Sequence, residues 1–369
     1  MGPRGHILTV QGVLRRQHNK ITLETACDGS LDHGFMFNLR KAFRSQQPAD
    51  TVRSIALQTG EGSLRTTDPA MRADATLHWD HTIDRALVHR DSIAEVLLTD
   101  LVKLDETEVL VAAQWPRSHR VYRPDRYGRH DPMLILESIR QTGLAVSHYA
   151  FGVDFDQQSL MRDVGFVLDQ RNEPRALLSS TNLAITVGCR DLIVRGDRLR
   201  GMTIELSFAV DGLPFATGYG TIRWISAQSY AALRARSGIR LDWDQLRWSS
   251  VIPPRKASSV RAAEDVLLSR KAGPGSKRRL VVPLDHPVYF DHPLDHAPGM
   301  LLIDAAWQAV VEQRGDEARL VACTLDCSAV TELGLDTDIV LRRVSSDTTE
   351  FVVQQQGRQT ASGSLRAAS

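Results

Sequence analysis

The stretch "DPMLILESIRQTG", residues 131–143, decides how the chain is read. Asp131 is placed to cap a helix and Pro132 suits its first turn. Met133, Leu134, Ile135, Leu136, Ile139 and, just beyond, Leu144 do not keep to one stripe, as expected of a helix buried on most sides. Yet Glu137 and Arg140 stand inside it, with Gln141 next in sequence. Charge in a core is costly unless it is paired or used.

Working outward, the stretch has a copy. "DPMLILESIRQ" (131–141) resembles "APGMLLIDAAWQ" (297–308), which sets Met133 against Met300, Glu137 against Asp304, Arg140 against Trp307 and Gln141 against Gln308. "AEVLLTD" (94–100) resembles "AEDVLLSR" (263–270), and "GLPFATGYGTIR" (212–223) resembles "GRQTASGSLR" (357–366). Three matches in one order make two homologous units rather than a solenoid. Each helix is followed by β-branched, partly alternating segments: "LAITVG", "TIELSFAV" and "YGTIRWIS" in the first unit, "DIVLRRV" and "TEFVVQQQ" in the second. A long buried helix wrapped by an antiparallel sheet, twice over, is an α+β tandem (double) hotdog. The expected organisation is a polar extension of uncertain structure at 1–80, a first hotdog domain at 85–250, a linker and lead-in at 251–280 containing "SVIPPRKASSV", and a second hotdog domain at 281–369.

Composition narrows the function classes. The 369 residues carry 45 basic and 44 acidic side chains, so no global field recruits nucleic acid or a membrane. Apolar runs fall short of the ~20 residues that span a bilayer, and no secretory signal is read at the N-terminus. Of four cysteines only Cys323 and Cys327 are close, without the companions a zinc site needs; both are expected on a strand. A reduced, cytoplasmic protein is expected. No nucleophile elbow, P-loop or dinucleotide motif occurs, so no cofactor and no metal are expected.

"VHRDSIAEVLLTDL", "AAQWPRSHRVY" and "DPMLILESIRQTGLAVSHYAFGV" resemble the first half of the AfsA-like A-factor and γ-butyrolactone biosynthesis family, and "HPVYFDHPLDHAPGMLLIDAAWQA" its second half. The resemblance covers about residues 85–369. It implies tandem hotdogs acting as a cofactor-free acyltransferase. A β-ketoacyl chain passes from an acyl-carrier protein thioester (or acyl-CoA) to dihydroxyacetone phosphate, towards a butenolide or furan-type signalling molecule. The second-half segment resembles hotdog dehydratases more distantly. An acyl-thioester dehydratase or thioesterase, and a non-catalytic acyl- or lactone-binding regulator, are the alternatives.

Positions three apart on a helix lie about 60° apart, so Glu137 and Arg140 can serve one spot. As catalytic candidates, Glu137 is either base or anchor and Arg140 a phosphate ligand. An ordinary ion pair between helix and sheet is the bland reading, against which the recurrence at Asp304 and Gln308 weighs. Gln141 and Met133 are expected at the substrate, with helix-start amides around Met133 and Leu134 as oxyanion donors. Arg117 and His119, in the arginine-rich loop "WPRSHRVYRPDRYGRHDP", are expected to bind phosphate or dock a carrier. In the second half, Asp304, His292, His296 and Trp307 are candidates. His292 or His296 is expected to reach across an intramolecular pseudo-dimer towards Glu137.

Overall fold

The computed structural model describes residues 76–237, 261–269 and 277–368, together with the backbone of 6–8, 13–17 and 20–24. Most of the predicted extension at 1–80 lies outside the described residues. Its described strands β1 (His6–Leu8), β2 (Val13–Gln17) and β3 (Lys20–Glu24) pair in order with β4 (Thr76–His78). The buried Leu77 and the bond from the Trp79 indole N–H to the Leu183 carbonyl (3.1 Å) tie this segment to the first unit.

The remaining strands form one antiparallel sheet of 11. The first unit supplies β5 (Leu98–Lys103), β6 (Glu108–Trp115), β7 (Gln158–Leu168), β8 (Thr181–Arg195), β9 (Arg198–Val210) and β10 (Leu213–Ile225). The second supplies β11 (Lys277–Arg279), β12 (Arg319–Cys327), β13 (Thr337–Arg343), β14 (Thr348–Gln355) and β15 (Arg358–Ala368). Their order is β5-β6-β8-β9-β10-β7 followed by β12-β15-β14-β13-β11, so the second unit repeats the first in reverse about the β7–β12 junction. That junction pairs Ala322 with Val167 through to Asp326 with Asp163. Cys323 and Cys327 lie on β12. The β9–β10 and β14–β15 hairpins turn at Asp211–Gly212 and Gln356–Gly357. All four residues have positive φ, the turn that matches strand twist.

Inside the curl run α1 (Met133–Phe151) and α3 (Gly299–Arg314), which touch one another; α2 (Ala227–Ser237) follows β10. Both central helices are buried nearly throughout, and one continuous apolar core joins the units. Two buried hydroxyls of α1 are met by indoles of the surrounding sheet. Ser138 accepts the Trp115 indole N–H at 3.0 Å, and Ser147 that of Trp224 at 3.1 Å. Residues 261–268, read from sequence as linker and lead-in, pack within the second unit: Leu268 bridges Leu280 and Arg261 reaches Asp304. They replay residues 90–98, so the second unit starts ahead of residue 281.

Candidate active site

Glu137 is 2% exposed and sits in a net of donors. Its Oε1 accepts from Arg90 Nη2 (2.7 Å), Arg140 Nη2 (2.8 Å) and Gln141 Nε2 (2.7 Å), and its Oε2 from Arg140 Nε (3.0 Å). Burial alone would raise the carboxyl pKa, but the guanidinium groups of Arg140 and Arg90 outweigh it and hold Glu137 well below the usual range. A carboxylate with its lone pairs so engaged anchors two arginines and is a poor base. The trio keeps one net positive charge.

Gln141 is equally committed. Its Oε1 accepts the Leu97 amide (2.8 Å), and its Nε2 donates to the Glu95 carbonyl (2.7 Å) as well as to Glu137. Gln308 does the same in the second unit with Leu267 N (2.8 Å) and Asp265 O (3.1 Å). Both glutamines staple a helix to the 3-10 turn ahead of it and the residues that follow that turn. Against the expectation for Gln141, no amide group is left for a substrate.

The expected helix-start donors are also taken. The Met133 amide donates to Asp131 Oδ1 (2.9 Å) and that of Leu134 to the Asp131 carbonyl (3.0 Å), while Met133 itself is fully buried. In α3 the Leu301 and Leu302 amides donate to the Pro298 carbonyl, but those of Gly299 and Met300 have no acceptor among the described residues.

A cavity of about 890 Å³ opens where the flank of α1 meets the start of α3. Ile139, Arg140, Gly143 and Leu144 form one wall, and Pro298, Gly299 and Met300 another. Gly143 lets the opposite wall close in: a Cβ there would stand 3.3 Å from Ile204 Cδ1. Of the predicted residues, Arg140, His292 and His296 line this cavity, whereas Glu137 stands behind Arg140. Arg140 Nη1 has no protein partner among the described residues.

His292 Nδ1 is 3.5 Å from Asp291 Oδ2, too far for more than a weak contact, and burial lowers the ring's pKa. Asp291 instead accepts the amides of Asp91 (2.6 Å) and Ser92 (3.0 Å), clamping the two units together. His296 Nδ1 lies 2.8 Å from Asp295 Oδ1, which also accepts from Tyr230 OH (2.6 Å) on α2. A carboxylate only accepts, so His296 carries its proton on Nδ1 and, when neutral, a lone pair on Nε2.

The other candidates lie off the cavity. His119 accepts the Val121 and Tyr122 amides on Nδ1 (3.2 and 3.0 Å) and stands 3.4 Å from Glu95, a buried turn-former. His286 repeats the turn with Val288, Tyr289 and Asp265. Arg117 is exposed and donates to the Leu178 carbonyl (3.0 Å).

In the second unit Trp307 is buried where its counterpart Arg140 faces the cavity. Asp304 accepts from Arg261 Nε (2.8 Å) and Tyr289 OH. Arg261 is shared with Asp131 (2.6 Å). With one shared cation instead of two, burial prevails and the Asp304 pKa is raised.

Sequence reasoning missed Arg90, whose Nη1 donates to the Val288 carbonyl (2.9 Å), and the cavity-lining His89. His148 Nδ1 lies 2.7 Å from the Val153 carbonyl, so His148 Nε2 accepts from His89 Nε2 (2.9 Å). Burial and neighbouring cations push His89 down to about 4. The signal was present in "VHR" and "VRAAED", each ahead of a matched segment.

Two hotdog units sharing one sheet, with an apolar and cationic cavity between them, define a double-hotdog protein. The A-factor biosynthesis hotdog domain model matches residues 71–226 and 255–368, and the chain belongs to that family. It is 38% identical over 234 residues to a 2-oxo-3-(phosphooxy)propyl 3-oxoalkanoate synthase from Streptomyces virginiae, covering 62% of this chain and 76% of the relative. A protein of the same name from Streptomyces coelicolor is 31% identical, covering 62% and 71%. Among solved structures, a 12:0-ACP thioesterase from Umbellularia californica is similar over 70% of this chain and 97% of its own, with TM-score 0.43 and 9% identity.

Proposed function

We propose that this protein is a 2-oxo-3-(phosphooxy)propyl 3-oxoalkanoate synthase, an acyltransferase that moves a 3-oxoacyl chain from a thioester to the hydroxyl of dihydroxyacetone phosphate. One observation carries the reading: the cavity joins an apolar wall, a guanidinium with unused N–H groups and two vacant helix-start amides. The apolar wall takes the acyl chain. Arg140, held by Glu137 and backed by Arg90, takes the phosphate.

The acceptor oxygen attacks the thioester carbon as its proton passes to His296 Nε2. The Gly299 and Met300 amides receive the carbonyl oxygen as it gains charge. Collapse breaks the carbon–sulfur bond, and the departing thiolate recovers the proton from His296. Glu137 stays ionised throughout as the anchor of Arg140.

The test is incubation with a 3-oxoacyl thioester, with and without dihydroxyacetone phosphate, followed by mass spectrometry. A phosphorylated ester formed only with the acceptor supports transfer. Thiol release that ignores the acceptor refutes it and makes the protein a thioesterase.

A further inference from the structure

β8 and β9 run on past the sheet. β6 leaves β8 at Gly188 and β10 leaves β9 at Gly201, so residues 189–200 form a ribbon of only two strands. Ribbons of this kind are marginal by themselves and seldom display large apolar side chains without a partner. This one exposes Leu192, Ile193 and Val194, the last at 54%. Asp191 has φ 48°, and the register slips on both sides of Ile193, a bulge that re-aims these side chains. Arg195 and Arg198 are exposed beside them, and with Arg190 and Arg200 they outnumber Asp191 and Asp197.

The ribbon leans on the cavity mouth. Arg198 lies 3.6 Å from Asp154, and Arg200 donates to Gln157 Oε1 at 2.7 Å. Gln157 and Phe155 both line the cavity, and Phe155, 60% exposed, stacks on His148. Another apolar knob, Leu177 and Leu178, sits with Arg117 and contributes nothing to the cavity lining.

We infer that the 189–200 ribbon is the docking surface for an acidic acyl-carrier protein that delivers the thioester into the cavity. The inference rests on the acyltransferase reading. An apolar centre ringed by arginines complements an acidic protein with an apolar patch. A coenzyme A thioester would engage the arginines but has no apolar protein surface to cover Leu192, Ile193 and Val194.

The test compares wild type with the Arg195→Glu/Arg198→Glu and Ile193→Ser variants on one 3-oxoacyl group borne either by carrier protein or by N-acetylcysteamine. With the carrier, kcat/KM falls roughly tenfold or more in both variants and loses its salt dependence in the Arg195→Glu/Arg198→Glu variant alone, while the small thioester reacts as in wild type. Equal loss with both donors, or no loss with the carrier, overturns the inference. So does a dimer that becomes monomeric in the variants without a carrier-specific defect, since the ribbon then joins two copies. Direct titration of unacylated holo-carrier separates the two readings. Binding that the variants abolish, with no turnover by wild type, sinks the acyltransferase reading and leaves the docking surface standing.

Discussion

Replacing Glu137 by Gln separates the anchor from the base. The side chain keeps its shape, but Arg90 and Arg140 lose the carboxylate that joins them, at 2.7 and 2.8 Å. Arg90 is 9% exposed, so its charge cannot find water in place of Glu137. Breaking a buried ion pair from one side destabilises by about 3–5 kcal/mol. At roughly 2 °C per kcal/mol for a chain beyond 200 residues, melting drops by about 6–10 °C. The Arg140 guanidinium also loses its orientation, so KM for the phosphorylated acceptor rises. Calorimetry and a pH–rate profile of the folded fraction read both effects. The profile keeps the wild-type shape, because a carboxylate held well below its usual range does not titrate in the working range. A variant that melts with wild type but loses kcat along with one limb of its profile would make Glu137 the base and refute the reasoning.

Three further outcomes follow from the same geometry. Arg140→Ala removes a charged partner of the phosphate, worth about 1.5–3 kcal/mol, and raises KM for the acceptor by roughly ten- to a hundredfold in product-formation assays; unchanged acceptor KM contradicts its role. Trp307→Ala empties a buried site in α3 and lowers stability by about 3–5 kcal/mol in denaturant titration, with acceptor KM untouched. His130 is 2% exposed and pushed down to about 4, chiefly by burial, with Arg319 adding to it. The unfolded chain therefore binds a proton there between pH 6.5 and 4 that the folded chain refuses. Stability is full above about 6.5, falls as pH drops to 4 and levels off below, by about 3 kcal/mol in all. Denaturation at stepped pH shows a shallower acid slope in His130→Gln.

Periodicity made the fold legible. α1 and α3 announce themselves by length and apolar content, and β13 and β14 by alternation. The site was less legible because each helix is served by the loop of the other unit. The arginine-rich loop leads into α1 in sequence, but its Asp131 and Arg120 meet Arg261 and Asp265 of the second unit. The second unit's loop holds Arg90 through the Val288 carbonyl and lines the cavity beside Arg140 with His292. Arg117 and His119, close to α1 in sequence, instead contact Leu178 and Glu95 of their own unit, off the cavity. Arg90 and Arg261 escaped notice because their spacing to the following strand differs by one residue. "HRVY" and "HPVY" were a plain repeat, but its meaning depends on seeing His119 and His286 each close a turn with two amides.

The asymmetry of the cavity in a pseudo-symmetric chain traces to two positions in the aligned helices. Ahead of the paired methionines stand Asp131–Pro132 in the first unit and Pro298–Gly299 in the second. Asp131 supplies an acceptor to the Met133 amide, and Pro132 has no N–H to offer, so α1 begins with its donors spent or missing. Pro298 has no side-chain acceptor, and Gly299 contributes an N–H of its own, so α3 begins beside the cavity with two amides that have no acceptor among the described residues. Seven residues after the paired methionines the difference is complementary. Arg140 lines the cavity together with the α3 start, whereas buried Trp307 occupies the matching place in the second unit. A cation without vacant amides would hold an anion but not stabilise a developing oxyanion, and vacant amides without the cation would not retain a phosphate. In the proposed acyl transfer to a phosphorylated alcohol the two features serve only together, and this cavity draws the cation from one unit and the helix start from the other.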